Sequence, residues 1–453
     1  MSSSTGALTS NGVSSATSIA RDSITTLLLR VAFYAAGLAV AVLVSRVLGP
    51  SGRGEYYLLV VAAATLVSVA RLGLEQANVY LYSAKSVPLA RLNTQNGLVA
   101  VSAGGLAAAA MIALPFVAPA ILEADRISLV LAALTIPLNL HIILTAGLQT
   151  LVGQVTWQFK TGLAGALVQL GLLAAIALLG LLSVPTVLLV NLIATAAGWF
   201  FLVRAPGSIT RPALGIDGDL LLRTLKQSVV LHVGMVLFFL QLRIDTFLIG
   251  SLSGVANLGI YSLAVLMAET MFLVTDSLAI ATLPKQLTNS VVDAARLALR
   301  GVRVNVILGV AIALGWVVAG PIVIRLLFGV DFESAYPALV ALLPGSIFLG
   351  MQRMCGPIVL RSGTPLRLAG IYALALGVNV LLNLVWIPSA GIMGAAFASS
   401  VSYGVSAVLI LLWTTRAAGA AFVGSLVPRR ADLLVLTQAG ARMGQFIESV
   451  RRR

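Results

Sequence analysis

Apolar residues run along this chain in long stretches separated by short polar intervals, without the two-residue alternation of a half-buried strand. Each run is about 20 residues or longer, enough to cross roughly 30 Å of hydrocarbon as a helix. The pattern predicts twelve spans, at 24–48, 56–82, 93–117, 127–151, 161–182, 184–204, 226–250, 258–284, 303–328, 337–361, 366–387 and 392–415. The backbone of a spanning segment must satisfy its own hydrogen bonds, and the missing alternation excludes a barrel. The expected fold is therefore all-α, a polytopic helical bundle.

The stretch from Val229 to Pro284 has a counterpart from Ile24 to Ser83. In each, two apolar runs with internal charges are joined by a tight turn, and Gly54-Glu55-Tyr56 matches Gly259-Ile260-Tyr261. This predicts a repeat of about 200 residues with six spans per lobe. An even number of spans makes both lobes enter the membrane in the same sense, so a pseudo-two-fold axis along the membrane normal should relate them. The expected organisation is a disordered cytoplasmic tail (1–23), an N-terminal lobe (24–204), a cytoplasmic linker (205–225), a C-terminal lobe (226–415) and a cytoplasmic tail (416–453). In that last segment Leu433, Leu436, Met443, Phe446, Ile447 and Val450 share a stripe opposite arginines, which predicts an amphipathic basic helix on the membrane surface.

Composition narrows the class. With 59% hydrophobic and 10% charged residues, against about 25% charged in soluble domains, the chain is an integral membrane protein. The net charge of +14 lies mainly in short loops and the tail, which points to orientation and anionic lipid rather than nucleic acid. Lys and Arg gather on the side that puts both termini in the cytoplasm. A single cysteine, Cys355, excludes a disulfide framework, two histidines offer no zinc spacing, and there is no phosphate-binding loop. No cofactor is expected.

The candidate chemistry is the set of charges inside apolar runs, where an ionisable group costs about 2.5–3.5 kcal/mol and so marks a hydrated cavity or a paired site. Arg71 and Glu75, four apart, can pair on one helical face. Arg243 and Asp245, two apart, point to nearly opposite sides of their helix. Glu269 lies halfway along the eighth span, with Asp276 further on; either could couple transport to protons or balance an arginine. Arg30 and Arg353 could offer bidentate sites to a phosphate or pyrophosphate. The assignment is thus Arg30, Arg71, Arg243 and Arg353 to substrate, and Glu75, Asp245, Glu269 and Asp276 to coupling or gating. Asn139, His141 and Gln149 are expected to hydrogen-bond between helices.

SRVLGPSGRGEYYLL at 45–59, RIDTFLIGSLSGVANLGIYSLA at 243–264, LFGVDFESAYPAL at 327–339 and NVLLNLVWIPSAGIMGAAFAS at 379–399 resemble the hairpin motifs of polysaccharide biosynthesis (Wzx-type) oligosaccharide flippases. That family belongs to the superfamily of multidrug, oligosaccharidyl-lipid and polysaccharide exporters. The resemblance implies a flippase of the bacterial inner membrane. It would carry an undecaprenyl-pyrophosphate-linked oligosaccharide to the outer leaflet by alternating access, for surface polysaccharide or exopolysaccharide assembly. Its partners would be that lipid-linked oligosaccharide, membrane lipids and other polysaccharide assembly proteins. Unlike the lipid II flippases, the chain has no further pair of spans after the twelfth. The alternatives are a cation-coupled multidrug and toxin extrusion antiporter, which would want an acidic lumen, and a membrane glycosyltransferase or polymerase, which would want carboxylates in a sizeable outer loop. The expectation is that the chain is not an enzyme.

Overall fold

A computed structural model describes residues 7–83, 87–119, 124–204, 218–427 and Asp432. Its helices are α1 (Ala7–Ala70), α2 (Leu74–Ser83), α3 (Leu89–Val117), α4 (Arg126–Leu151), α5 (Val155–Leu178), α6 (Val184–Val203), α7 (Gly218–Ser253), α8 (Val255–Thr288), α9 (Val291–Val323), α10 (Ala335–Ser362), α11 (Pro365–Ala418) and α12 (Phe422–Leu426). No strand occurs among the described residues. Ten of these helices are long and apolar enough to cross a membrane.

Ten helices accommodate twelve predicted spans because two of them are double. The apolar part of α1 has 43 residues and α11 has 54. At 1.5 Å per residue these would reach roughly 65 and 80 Å, more than twice the hydrocarbon thickness. Each is interrupted at a glycine in the left-handed region, Gly49 (φ 64°) in α1 and Gly391 (φ 56°) in α11. Both lie in the Gly/Pro-containing turns read between spans. A side chain at either position would be strained by roughly 1–2 kcal/mol.

One expectation needs correction. The second span is not continuous over 56–82. It breaks at Arg71–Gly73, where Leu72 (φ 51°) and Gly73 (φ 72°) both have positive φ, and resumes as α2. The Leu72 carbonyl freed by this break accepts a hydrogen bond from the Ser228 hydroxyl at 2.8 Å.

Helix starts are set by polar caps at the ends of apolar runs. Asp125 accepts from the backbone N–H groups of Ile127 and Ser128 at 2.9 and 3.0 Å and opens α4. Ser183 and Thr186 form a reciprocal capping box at the head of α6, and Thr364 caps α11 ahead of Pro365.

The chain divides into two compact units, Met1–Val229 and Val230–Arg453. In the first, α1 packs on α3, α4, α5 and α6, and α4 packs on α3 and α6. In the second, α10 contacts α8, α9 and α11. The small side chains of Ala294, Ala295 and Ala298 on α9 let it approach Met354 and Ile358 on α10. Close backbone approach through small residues is how helices gain packing in lipid, which offers no hydrophobic drive between them.

The segment after α11 is not wholly a free tail. Phe422 and Leu426 of α12 pack against the core of the second unit. Asp432 is buried against Arg303 of α9, at 2.6 Å to Nε and 3.2 Å to Nη2. Arg303 lies 12 residues inside α9 and needs this carboxylate to balance it. The linker residues 205–217 and the basic helix expected over 433–453 lie outside the described residues.

Candidate functional site

The eight charged residues assigned from the sequence fall into a row along α8 and a separate Asp245 cluster in the second unit, and into the Arg71–Glu75 and Arg30–Tyr34 contacts in the first. In the second unit, α8 carries Glu269 and Asp276 seven residues apart, so both project from one face with about 10 Å of helix axis between them. Glu269 meets Arg243 of α7 at 2.7 Å, and Asp276 meets Arg353 of α10 at 2.9 Å. Two ion pairs therefore line α8, one toward each flanking helix. The Arg353 side chain is 56% exposed. A guanidinium so open would be costly against acyl chains and favours a hydrated surface.

Asp245 stands apart from that row. The helix turns it away from Arg243, as the two-residue spacing required, and it is buried between α7, α8 and α11. Its Oδ2 accepts from the Tyr261 hydroxyl at 2.5 Å and the Ser399 hydroxyl at 3.0 Å, while Oδ1 accepts from the Thr246 N–H at 2.8 Å. The network continues outward from Ser399. Asn379 donates to the Ser399 hydroxyl at 3.4 Å, Asn383 donates to Asn379 at 2.7 Å, and Gln241 donates to Ser402 and Ser406. Hydroxyl and amide donors can hold a carboxylate in the interior, and the carboxylate oxygens can in turn take up a proton or a small cation.

In the first unit, Arg71 and Glu75 lie 3.6 Å apart at the break between α1 and α2. Arg30 sits over the ring of Tyr34, one turn away, at 5.8 Å to the centroid. His141 of α4 accepts from the Trp199 indole N–H of α6 at 2.8 Å, a bond between helices of the kind expected. Gln149 is buried, and Asn139 borders a cavity between α1, α4, α5 and α6.

Three of the four arginines read as substrate ligands thus hold carboxylates. Their partners, Glu75, Glu269 and Asp276, are three of the four acids assigned to coupling or gating. Sequence spacing identified the Arg71–Glu75 pair. The other two pairs join residues 26 and 77 positions apart, beyond any helical periodicity. The reading missed Tyr261, Ser399, Asn379 and Asn383 as partners of the Asp245 network. A signal existed: Tyr261 is the repeat counterpart of Tyr56, and the other three lie in the 379–399 hairpin motif. Among the described residues no group of three His, Cys, Asp or Glu side chains could hold a metal ion.

No protein-family model and no curated protein matches the chain. Solved structures do share its fold. An outward-facing multidrug resistance MATE family transporter of the MOP superfamily superposes with a TM-score of 0.65 at 14% identity, covering 88% of this chain and 95% of that one. The lipid II flippase MurJ, in an inward closed conformation, gives 0.58 at 16% identity, covering 89% and 90%. A MOP superfamily transporter from Pyrococcus furiosus gives 0.59 at 14% identity, covering 88% and 95%; its binding pocket is described as having reverse polarity, suggesting a different function. The chain thus has the fold that these solved transporters and the flippase share.

Proposed function

We propose that the protein is a flippase that moves an undecaprenyl-pyrophosphate-linked oligosaccharide from the cytoplasmic to the outer leaflet of the bacterial inner membrane by alternating access of its two lobes. The observation that carries this reading is the pair of accessible arginine–carboxylate contacts along α8, Arg243–Glu269 and Arg353–Asp276. A pyrophosphate presents the same planar oxygen pairs as a carboxylate with more charge, so it can displace Glu269 or Asp276 from the guanidinium and be handed back when the acid returns. A resident acid keeps each arginine satisfied between cycles. The polyprenyl chain needs no aqueous site, because it can remain in lipid.

The resemblance of the hairpin motifs to Wzx-type flippases and the fold shared with a lipid II flippase both support this substrate class. The net charge of +14 suits an anionic cargo and an inner leaflet of acidic lipid. Asp245 is the group we assign to ion coupling. A cation-coupled multidrug antiporter is the second reading, favoured by the shared MATE fold and by the burial of Asp245. It predicts a carboxylate row free to meet cations, whereas Glu269 and Asp276 already face arginines.

Deleting the gene in its host and assaying leaflet sidedness tests the proposal. Lipid-linked repeat units should accumulate on the cytoplasmic leaflet, and their sugar composition identifies the glycan. Normal surface polysaccharide in the deletion strain would overturn it, and loss of resistance to lipophilic cations instead would favour the antiporter.

A further inference from the structure

The first unit contains a cavity of about 290 Å³ between α1, α4, α5 and α6 that none of the charged arrangements uses. Its polar lining comes from Asn139, Gln158, Thr161, Gln169, Asn191 and Thr195, and among the described residues no Asp, Glu, Lys, Arg or His borders it. Phe33 forms one wall. Gly162 packs closely against that ring, since a Cβ there would sit 3.3 Å from Phe33 Cε2.

The repeat shows what is unusual about this space. Aligning Gly54 with Gly259 places Tyr56 on Tyr261, and the two lobes repeat a polar contact between their last two spans. Gln169 donates to Asn191 at 3.4 Å in the first unit, and Asn379 donates to Ser399 at 3.4 Å in the second. Tyr56 is hydrogen-bonded to Gln169 much as Tyr261 joins the Ser399 cluster. The same alignment puts Val40 where the second unit has Asp245. The acid closes the second cluster around itself, while the first has no acid at that position and has Arg53 near Tyr56 instead.

We propose that this cavity is a subsite for one neutral sugar ring of the transported glycan. The inference rests on the flippase reading and adds where an uncharged part of the cargo is held. Amides and hydroxyls both donate and accept, which matches sugar hydroxyls and matches neither a phosphate, which needs cationic donors, nor a lipophilic cation, which needs an acid. Within the bundle Gln158 donates to Ala146 and Thr150, Thr161 to Gln158 and Gln169 to Asn191, and the amides and hydroxyls have further donor and acceptor positions that a hydroxyl-rich ligand can meet. The apolar face of a pyranose fits against Phe33. A cavity of about 150 Å³ accepts a six-atom ring such as benzene, so the space here is of the scale of a hexose with its substituents.

The test uses the full chain in phosphatidylglycerol-containing nanodiscs and saturation-transfer NMR with glucose, galactose and N-acetylglucosamine as probes. Pyrophosphate and tetraphenylphosphonium serve as competitors. At least one neutral sugar should bind the unaltered protein. Ala166→Phe, which fills the cavity, should abolish that binding, and Thr195→Val should weaken it roughly tenfold, the size of one lost hydrogen bond. Neither competitor should displace the sugar. Thermal melting confirms that each variant is folded, and Gln169→Leu replaces Ala166→Phe if that variant is not. No signal from any of the sugars, equal signals in the variants, or displacement by tetraphenylphosphonium each overturns the inference. The deletion assay judges the flippase reading separately, so accumulation of stranded lipid-linked material with no cavity-dependent sugar signal removes this subsite alone.

Discussion

The Tyr261 hydroxyl of α8 donates to Asp245 of α7 at 2.5 Å, with the carboxylate only 2% exposed. The bond holds an acid inside the membrane region on hydroxyl donors. Its energetic consequence is asymmetric, because each hydroxyl aimed at Asp245 loses its acceptor if the acid is truncated.

Asp245→Ala should therefore destabilise the folded protein by about 1–3 kcal/mol for the stranded hydroxyls of Tyr261 and Ser399. Asp245→Asn keeps the shape and one acceptor and should melt close to the unaltered protein, yet lose its dependence on an ion gradient. Melting in detergent and leaflet-sided export in vesicles check the two halves. A gradient-dependent Asn variant would remove Asp245 from coupling.

The row along α8 predicts that charge, not side-chain volume, matters at Arg243 and Arg353. Arg243→Ala and Arg353→Ala should insert normally and reduce export by about tenfold or more, the scale of one charge-assisted hydrogen bond. In a double-mutant cycle Arg243 and Glu269 should couple weakly, by about 0.5–1 kcal/mol in stability, because both are partly exposed. Export by both alanine variants at the unaltered rate would exclude these arginines from cargo handling.

Asp432 and Arg303 make the opposite case, a buried pair with two contacts at 2.6 and 3.2 Å. Asp432→Ala should cost about 3–5 kcal/mol, since it leaves a guanidinium uncompensated in the core of the second unit. Replacing both residues by apolar side chains of similar size should recover most of that loss. Chemical-denaturant melts of the single and double variants measure the difference.

Asp125, the cap of α4 outside the spans, carries a pH prediction. Partial burial acts to raise its pKa, but hydrogen bonds from Ser128 and from the Ser128 and Ile127 N–H groups outweigh it and hold the carboxyl below its ordinary value. A depressed folded pKa means the cap's contribution is present above the unfolded value and is lost as pH falls through the folded one. Asp125→Ala should lower stability by about 1 kcal/mol at neutral pH and lose that difference in strong acid. Paired melts at the two pH values check it.

Much of the architecture was legible along the chain because a bilayer permits few solutions. Apolar runs of sufficient length must be helices, and Gly49-Pro50 and Gly391 must interrupt them, whatever else the fold contains. The break at Arg71–Gly73 was less legible, since nothing in the apolar pattern of 56–82 signals that Leu72 adopts a positive φ. Spacing exposed Arg71 and Glu75 as partners, although the helix breaks between them, and set Arg243 and Asp245 on different faces, because residues two apart in one helix are about 200° apart around it.

By itself the sequence determined the membrane class, the helical spans, the repeat and the positions of the intramembrane charges. Those follow from local chain length, transfer free energy and helical periodicity. Only the tertiary structure decided which groups meet: Arg243 with Glu269, Arg353 with Asp276, Arg303 with Asp432, and Asp245 with the hydroxyls of Tyr261 and Ser399. Those pairings join separate helices, so their geometry depends on how the helices pack, and hydrophobic pattern is silent on packing partners.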